Sequence, residues 1–360
     1  MTDANWRKLT MGEVGEKEFL RNLLPMLDRH PSFVNGFGDD ASAIRISDNE
    51  LLLFKIDRAA APMAARRGWT DYRMWGRLAV TSNCSDILAA GGAPLAVMIA
   101  LILPRDWQVQ AAIDAVRGCA EECLANKVVF AGGDTKEGAS AEMIGSAVGL
   151  CTENELLTRR GAEPGDLIVV AGKLGGFLGS YLQIIESHQT GAGDGNIQSW
   201  QEYVAHPRAR WAEARAMRES GAATAAMDTS DGLYDAVATL TAGYGADMRL
   251  DSLPYHEIAY ECARRLGINP FNLALGVGDW NIVYTVRSKD WADFGPKLGD
   301  LPLELRVIGQ VTEVKGVRWR DGSDRVFRTD PVVNEHFAGR LEDESTLLHR
   351  LVEQVLLKPA

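Results

Sequence analysis

Five carboxylate-bearing motifs recur along this chain, each in or beside a predicted turn and most of them next to glycine or serine. They are Gly38-Asp39-Asp40, Ile56-Asp57, Asn83-Cys84-Ser85-Asp86, Gly132-Gly133-Asp134-Thr135 and Asp228-Thr229-Ser230-Asp231-Gly232. Rigid backbone at strand ends and helix starts holds such groups in place, and hard oxygen ligands of this kind suit Mg²⁺ that also carries phosphate oxygens. For any one motif, a turn or a helix cap is the better account of the aspartate. Five together weaken that account, and pattern alone leaves a shared metal-nucleotide site and a set of separate turns both open.

The segments between these motifs alternate between helix and strand patterns. Residues 16–27 carry Phe19, Leu20, Leu23 and Leu24 at helical spacing. Residues 51–56 read as a strand ending at Asp57, 72–90 as a helix stopped by Gly91 and Gly92, and 97–103 as a strand. A helix over 108–125, a strand over 128–131 running into Gly132, and a strand over 143–151 complete this half. Beyond a charged turn at 159–166 the alternation resumes. Strands are predicted at 167–171, 248–251, 281–286 and 306–311, helices at 207–220, 231–243 and 290–298, and a surface loop at 188–199.

A chain of 360 residues is long for one core. The reading is therefore an α/β protein with an N-terminal domain over 1–155, a second α/β domain over 156–340 and a helical tail over 341–360. In that tail Leu347, Leu348, Leu351, Val352 and Val355 form an amphipathic stripe.

Charge and composition narrow the function. With 38 basic and 49 acidic residues the net charge is −11, and no basic run offsets it, which argues against nucleic-acid binding. Apolar runs such as 97–103 fall far short of the roughly 20 residues of a membrane span. The start MTDANWRKLT has no apolar signal core, and the five cysteines lack paired spacing, so reduced thiols in the cytoplasm are expected. The six histidines show no zinc-type spacing. The stretch Leu174-Gly175-Gly176-Phe177-Leu178-Gly179-Ser180 could offer N–H groups to a phosphate at a helix start. It lacks both the Walker ending and the GxGxxG pattern, which favours a packing turn.

Taken in order, GFGDDASAI, LLFKID, NCSDILAAGGAPL, VVFAGGDT, TRRGAEPGDLIVVAG, HPRAR, MDTSDGL and LGVGDWNIVYTV resemble the thiamine-monophosphate kinase family. That family belongs to the superfamily of aminoimidazole ribonucleotide synthetase and selenophosphate synthetase. The resemblance runs from about residue 15 to 337 and lies in the ordered combination of motifs. It implies a two-domain aminoimidazole ribonucleotide synthetase-like fold whose N-terminal sheet dimerises into a barrel-like core. It also implies a homodimer, and an ATP- and Mg²⁺-dependent phosphotransferase acting on a small-molecule acceptor, with thiamine phosphate as the reference substrate.

Carried over residue by residue, the resemblance implies metal carboxylates at Asp40, Asp57, Asp86, Asp134, Asp228 and Asp231, and nucleotide contacts at Gly133, Asp134, Arg159 and Ser230. Asp231 and Arg159 would be catalytic, and Lys55, Trp280 and Phe337 would face the acceptor. The substrate side departs from the family. Lys55 and Ile56 replace two Ser/Thr residues, Gly278 replaces a glutamate, Ala64 stands near a histidine position and Asn334 near a tryptophan position. Two other readings follow from the same motifs: an ATP-activating synthetase or cyclase of the superfamily, and a nucleotide-binding dimer without catalysis.

Overall fold

The computed structural model describes residues 8–191, 196–298, 302–329 and 357–359. Two short helices, α1 (Met11–Val14) and α2 (Glu16–Leu23), lead into β1 (Ser42–Arg45), β2 (Glu50–Ala60), α3 (Met63–Arg66), α4 (Arg73–Ala89), β3 (Ala93–Leu103), α5 (Val109–Ala125), β4 (Val129–Glu137) and β5 (Glu142–Thr152). The strands form one sheet in the order β1-β2-β5-β3-β4, antiparallel except for β3 with β4.

The second half comprises β6 (Leu167–Ala171), α6 (Gly176–Thr190), α7 (Ile197–Ala205), α8 (Trp211–Ser220), β7 (Ala223–Asp228), α9 (Leu233–Leu240), β8 (Gly245–Arg249), α10 (Glu257–Leu266), α11 (Pro270–Ala274), β9 (Ile282–Val286), α12 (Ser288–Leu298), β10 (Leu305–Thr312), β11 (Gly316–Arg320), β12 (Val326–Arg328) and β13 (Lys358–Pro359). Its sheet runs β13-β12-β11-β8-β10-β6-β9-β7. The expected α/β organisation is present in both halves.

Alternation along the first sheet divides its faces. Leu51 and Leu53, together with Val97, Ile99, Leu101, Met143 and Ala147, are buried under α4 and α5 with Trp75, Val80 and Ile87. The opposite face carries Ile44, Phe54, Ile56, Met98 and Val129, and all five are exposed. Register places Ile56, Ser146 and Met98 in one row across this open face. Helix α4 is the hub of the fold, because its end residues Leu88 and Ala89 also pack against Val169, Ala171 and Tyr284 of the second sheet. It lies so close to α5 that a Cβ on Gly76 would stand 1.9 Å from the Ala115 carbonyl oxygen, and one on Gly118 would stand 2.0 Å from that of Arg73.

Two strands run further than their patterns suggest. β2 continues through Asp57 to Ala60, all of it paired with β5, so Asp57 lies within the strand and not at its end. β4 continues through Gly132-Gly133-Asp134-Thr135, which pairs with β3 and so does not form a loop. The predicted loop at 188–199 is shorter than expected: α6 extends to Thr190 and α7 begins at Ile197. β7, with the sequence ATAAMD, has little intrinsic strand preference and is held by pairing with β9. Most of the predicted tail, and with it Phe337 and Asn334, lies outside the described residues.

Candidate active site

Three aspartates from separate parts of the chain meet between the two halves. Asp40 comes from the loop before β1, Asp86 from the last turn of α4 and Asp228 from the last position of β7. All three are buried, and one oxygen from each lies within 4.8 Å of the others. Among the described residues this is the one group of three or more His, Cys, Asp or Glu side chains so arranged.

Two cations answer the carboxylates. Arg159, on the segment joining the halves, donates from Nε and Nη2 to Asp40 Oδ1 at 3.0 and 2.6 Å. The Lys55 ammonium lies 3.1 Å from Asp86 Oδ2. Asp228 accepts from Ser85 Oγ at 2.9 Å through one oxygen, and from Ser230 Oγ at 2.8 Å and Ser230 N at 3.2 Å through the other. Sequence reading missed two of these supports. Ser85 stands one residue before Asp86, and Asp39 accepts the Arg159 N–H at 3.0 Å and pairs with Arg160 at 2.7 Å, fixing the linker that carries Arg159.

Burial dominates the electrostatics. It pushes the Asp40 carboxyl up to about 6 against the pull of Arg159, with Asp228 adding repulsion. Asp86 is raised well above the usual carboxylate range by burial and by Asp228, although Lys55 opposes the shift. For Lys55 burial works against the charge, but Asp86, Asp57 and Asp228 outweigh it and hold the ammonium above the ordinary lysine value. Asp231, in the turn after β7, is raised by burial and by Asp235 and Asp228. Crowding anions into a water-poor site is costly unless further positive charge arrives. Three oxygens spaced this way fit around one Mg²⁺, whose oxygen ligands lie about 2.1 Å from the ion.

Asp57 shares the Lys55 face of β2 and acts on the same cluster through its charge. Ile56 is 69% exposed on the opposite face, so within one chain only position 55 of the altered pair bears on the site. Asp134 does not join the cluster in a single chain. Its register with Ala100, Ile144 and Arg58 puts it on the open face, three strand spacings or about 14 Å from β2, beside Lys136 at 3.4 Å. Gly133 has a packing role of its own, since a Cβ there would stand 1.7 Å from the Ile99 carbonyl oxygen. In the glycine-rich stretch, the N–H groups of Gly175 and Phe177 are taken by the Asp279 carboxylate at 2.6 and 2.9 Å, as a packing turn requires.

Next to the cluster lies a cavity of about 370 Å³. Asp57, Ser82 and Ser230 line it, while Met63, Met74, Phe177, Tyr181 and Trp280 supply much of the apolar wall. Gly278 explains one side of it. At φ +97° its missing side chain leaves room for the Phe177 ring, which a Cβ would meet at 2.2 Å. That ring packs edge-on against Trp280 at 5.8 Å. Ala64 is fully buried in the same aromatic region as Trp69 and Tyr181. Gly278 and Ala64, two of the positions that differ from the family, are thus packed with apolar groups.

Comparison with known proteins agrees with this architecture. The family models for "AIR synthase related protein" match residues 38–151 with the N-terminal domain and 163–321 with the C-terminal domain. The thiamine-monophosphate kinase of Pyrococcus horikoshii is 27% identical over 335 residues, covering 91% of this chain and 98% of its own. The structure of tt0281 from Thermus thermophilus superposes with a TM-score of 0.74 at 26% identity, over 86% of this chain and 98% of its own. AaThiL complexed with AMPPCP and TMP has the same fold, with a TM-score of 0.74 at 23% identity over 87% of this chain and 95% of its own. The chain belongs to the AIR synthase-related family, in which the Pyrococcus protein it matches along nearly its whole length is a thiamine-monophosphate kinase.

Proposed function

We propose that this chain is an ATP-dependent kinase of the thiamine-monophosphate kinase type, with Mg²⁺ held by Asp40, Asp86 and Asp228. The convergence of those three buried carboxylates with Arg159 and Lys55 carries the reading. The ion would supply neutralisation of triphosphate charge, which together with positioning is most of what phosphoryl transfer demands. Arg159 adds a cation at the same point, and Ser230, at the edge of the cavity, holds Asp228 in place through its hydroxyl. Asp231, in the turn after β7, has its carboxyl raised by burial and by the nearby charges of Asp235 and Asp228, and is the further carboxylate of the reading. Asp57 and Trp280 line the adjoining cavity on the acceptor side, Lys55 reaches the cluster at Asp86, and Asp134 and Gly133 serve the nucleotide only where the open sheet face is built over by a second copy.

A homodimer formed through that face is part of the reading, as is the division at residue 155 into two domains. Five unpaired buried cysteines suit a reducing cytoplasm. Among the described residues no helix is long and apolar enough to cross a membrane. Calorimetric titration with a non-hydrolysable ATP analogue, with and without Mg²⁺, tests the core of the proposal. Saturable binding that depends on Mg²⁺ is the expected result, and no binding in either condition overturns it.

A further inference from the structure

Lys55 is more than a substitution at the edge of the site. It stands on the β2 face that carries Leu51 and Leu53 toward α4, with its backbone paired in mid-strand and its carbonyl accepting from Ser146 Oγ at 3.1 Å. Its side chain is 23% exposed and that of Asp86 only 6%. The ammonium is thus held from both ends, by the sheet and by the carboxylate 3.1 Å away.

A site that transfers phosphoryl groups with two metals holds the ions about 3.5–4 Å apart and needs free carboxylate oxygens around each. Here Arg159 already occupies Oδ1 of Asp40, and Lys55 occupies Oδ2 of Asp86 and feels the charge of Asp57. A divalent ion bound between Asp86 and Asp57 would lie against the ammonium, and cation–cation repulsion is strong where water is scarce. What is left for a metal is the space bounded by Asp228 and the oxygens of Asp40 and Asp86 that neither cation takes.

Resting on the kinase reading above, we propose that the Lys55 ammonium is a resident counter-cation that takes the place of a metal ion, so that each protomer holds one fewer divalent ion with its nucleotide than the carboxylates could otherwise bind. Lys55 is therefore a specificity-determining residue for metal number.

The test is Mn²⁺ titration followed by the electron paramagnetic resonance signal of the free ion, at saturating AMPPCP, on the full chain. Lys55→Ser and Lys55→Met both remove the charge, and Met keeps the length of the chain and its apolar stem. Either is expected to bind one additional Mn²⁺ per protomer, or to bind the weakest ion at least about tenfold more tightly, while Lys55→Arg keeps the wild-type number. Thermal melting checks that each variant is folded, and the Met variant gives the answer if the Ser variant is not. Equal Mn²⁺ number and affinity in wild type and folded neutral variants overturns the proposal and leaves the kinase reading standing. Failure of every form, wild type included, to retain Mn²⁺ beyond that carried by the analogue alone overturns the kinase reading itself.

Discussion

Replacing Ile56 by glutamate probes the open sheet face most directly. In the single chain this side chain is 69% exposed, in a row with Met98 at 51%, so the substitution costs the isolated protomer little. In a two-fold dimer built on this face the change is made twice, because an isologous interface presents the same patch from both copies. Full burial of an isoleucine is worth about 1.5–3 kcal/mol, and the portion exposed here corresponds to about 1–2 kcal/mol. An unpaired buried carboxylate adds about 3–5 kcal/mol. Two copies together bring the penalty to about 8–14 kcal/mol, and even a quarter of the lower figure raises the dissociation constant about thirtyfold. Sedimentation velocity across micromolar concentrations reads this directly. Wild type is expected as a dimer and Ile56→Glu as a folded monomer with unchanged circular dichroism. A monomeric wild type, or an Ile56→Glu dimer of unchanged affinity, refutes the assignment of this face.

Three further outcomes are expected. Asp86→Asn removes one charged ligand and should weaken Mg²⁺-dependent AMPPCP binding by about 1.5–3 kcal/mol, about tenfold to more than a hundredfold by calorimetry; unchanged affinity in a folded variant contradicts the site. Thiamine phosphate should be a poor acceptor, because Gly278 and the Phe177 ring have replaced a carboxylate with apolar wall, and kcat/KM at or above about 10⁴ M⁻¹s⁻¹ would show that reasoning to be wrong. Asp279 is pushed up to about 6 by burial, against the N–H groups of Phe177 and Gly175. Between about pH 4 and 6 the folded chain therefore holds a proton that the unfolded chain releases, so this contribution is complete below about pH 4 and is lost as pH rises through about 6, amounting to about 3 kcal/mol. Urea midpoints measured from pH 4 to 7 should fall less steeply in Asp279→Asn than in wild type, and parallel curves would dismiss the effect.

Local pattern is enough for the elements whose burial repeats with their own period. The bounds of α4 and α5 lie within a residue of those their patterns predict, and β6 matches its predicted bounds, because apolar spacing and bounding turns decide such segments. Pattern is also enough for the family, since ordered motifs survive in sequence even where single residues drift. It stops short where pairing with a distant strand extends a segment, as in β2 beyond Asp57 and β4 through its glycines. Tertiary structure alone decides which aspartates meet. Asp40, Asp86 and Asp228 converge because the Arg159 segment and α4 tie the halves together, whereas Asp134 is turned to the other face by the two-residue period of a strand. The same period separates Lys55 from Ile56, neighbours in sequence, and sends one ammonium into the carboxylates and one apolar side chain out to the open sheet. Phe177 filling the space at Gly278 is decided in the same way, by a contact between residues about a hundred positions apart that no local periodicity records.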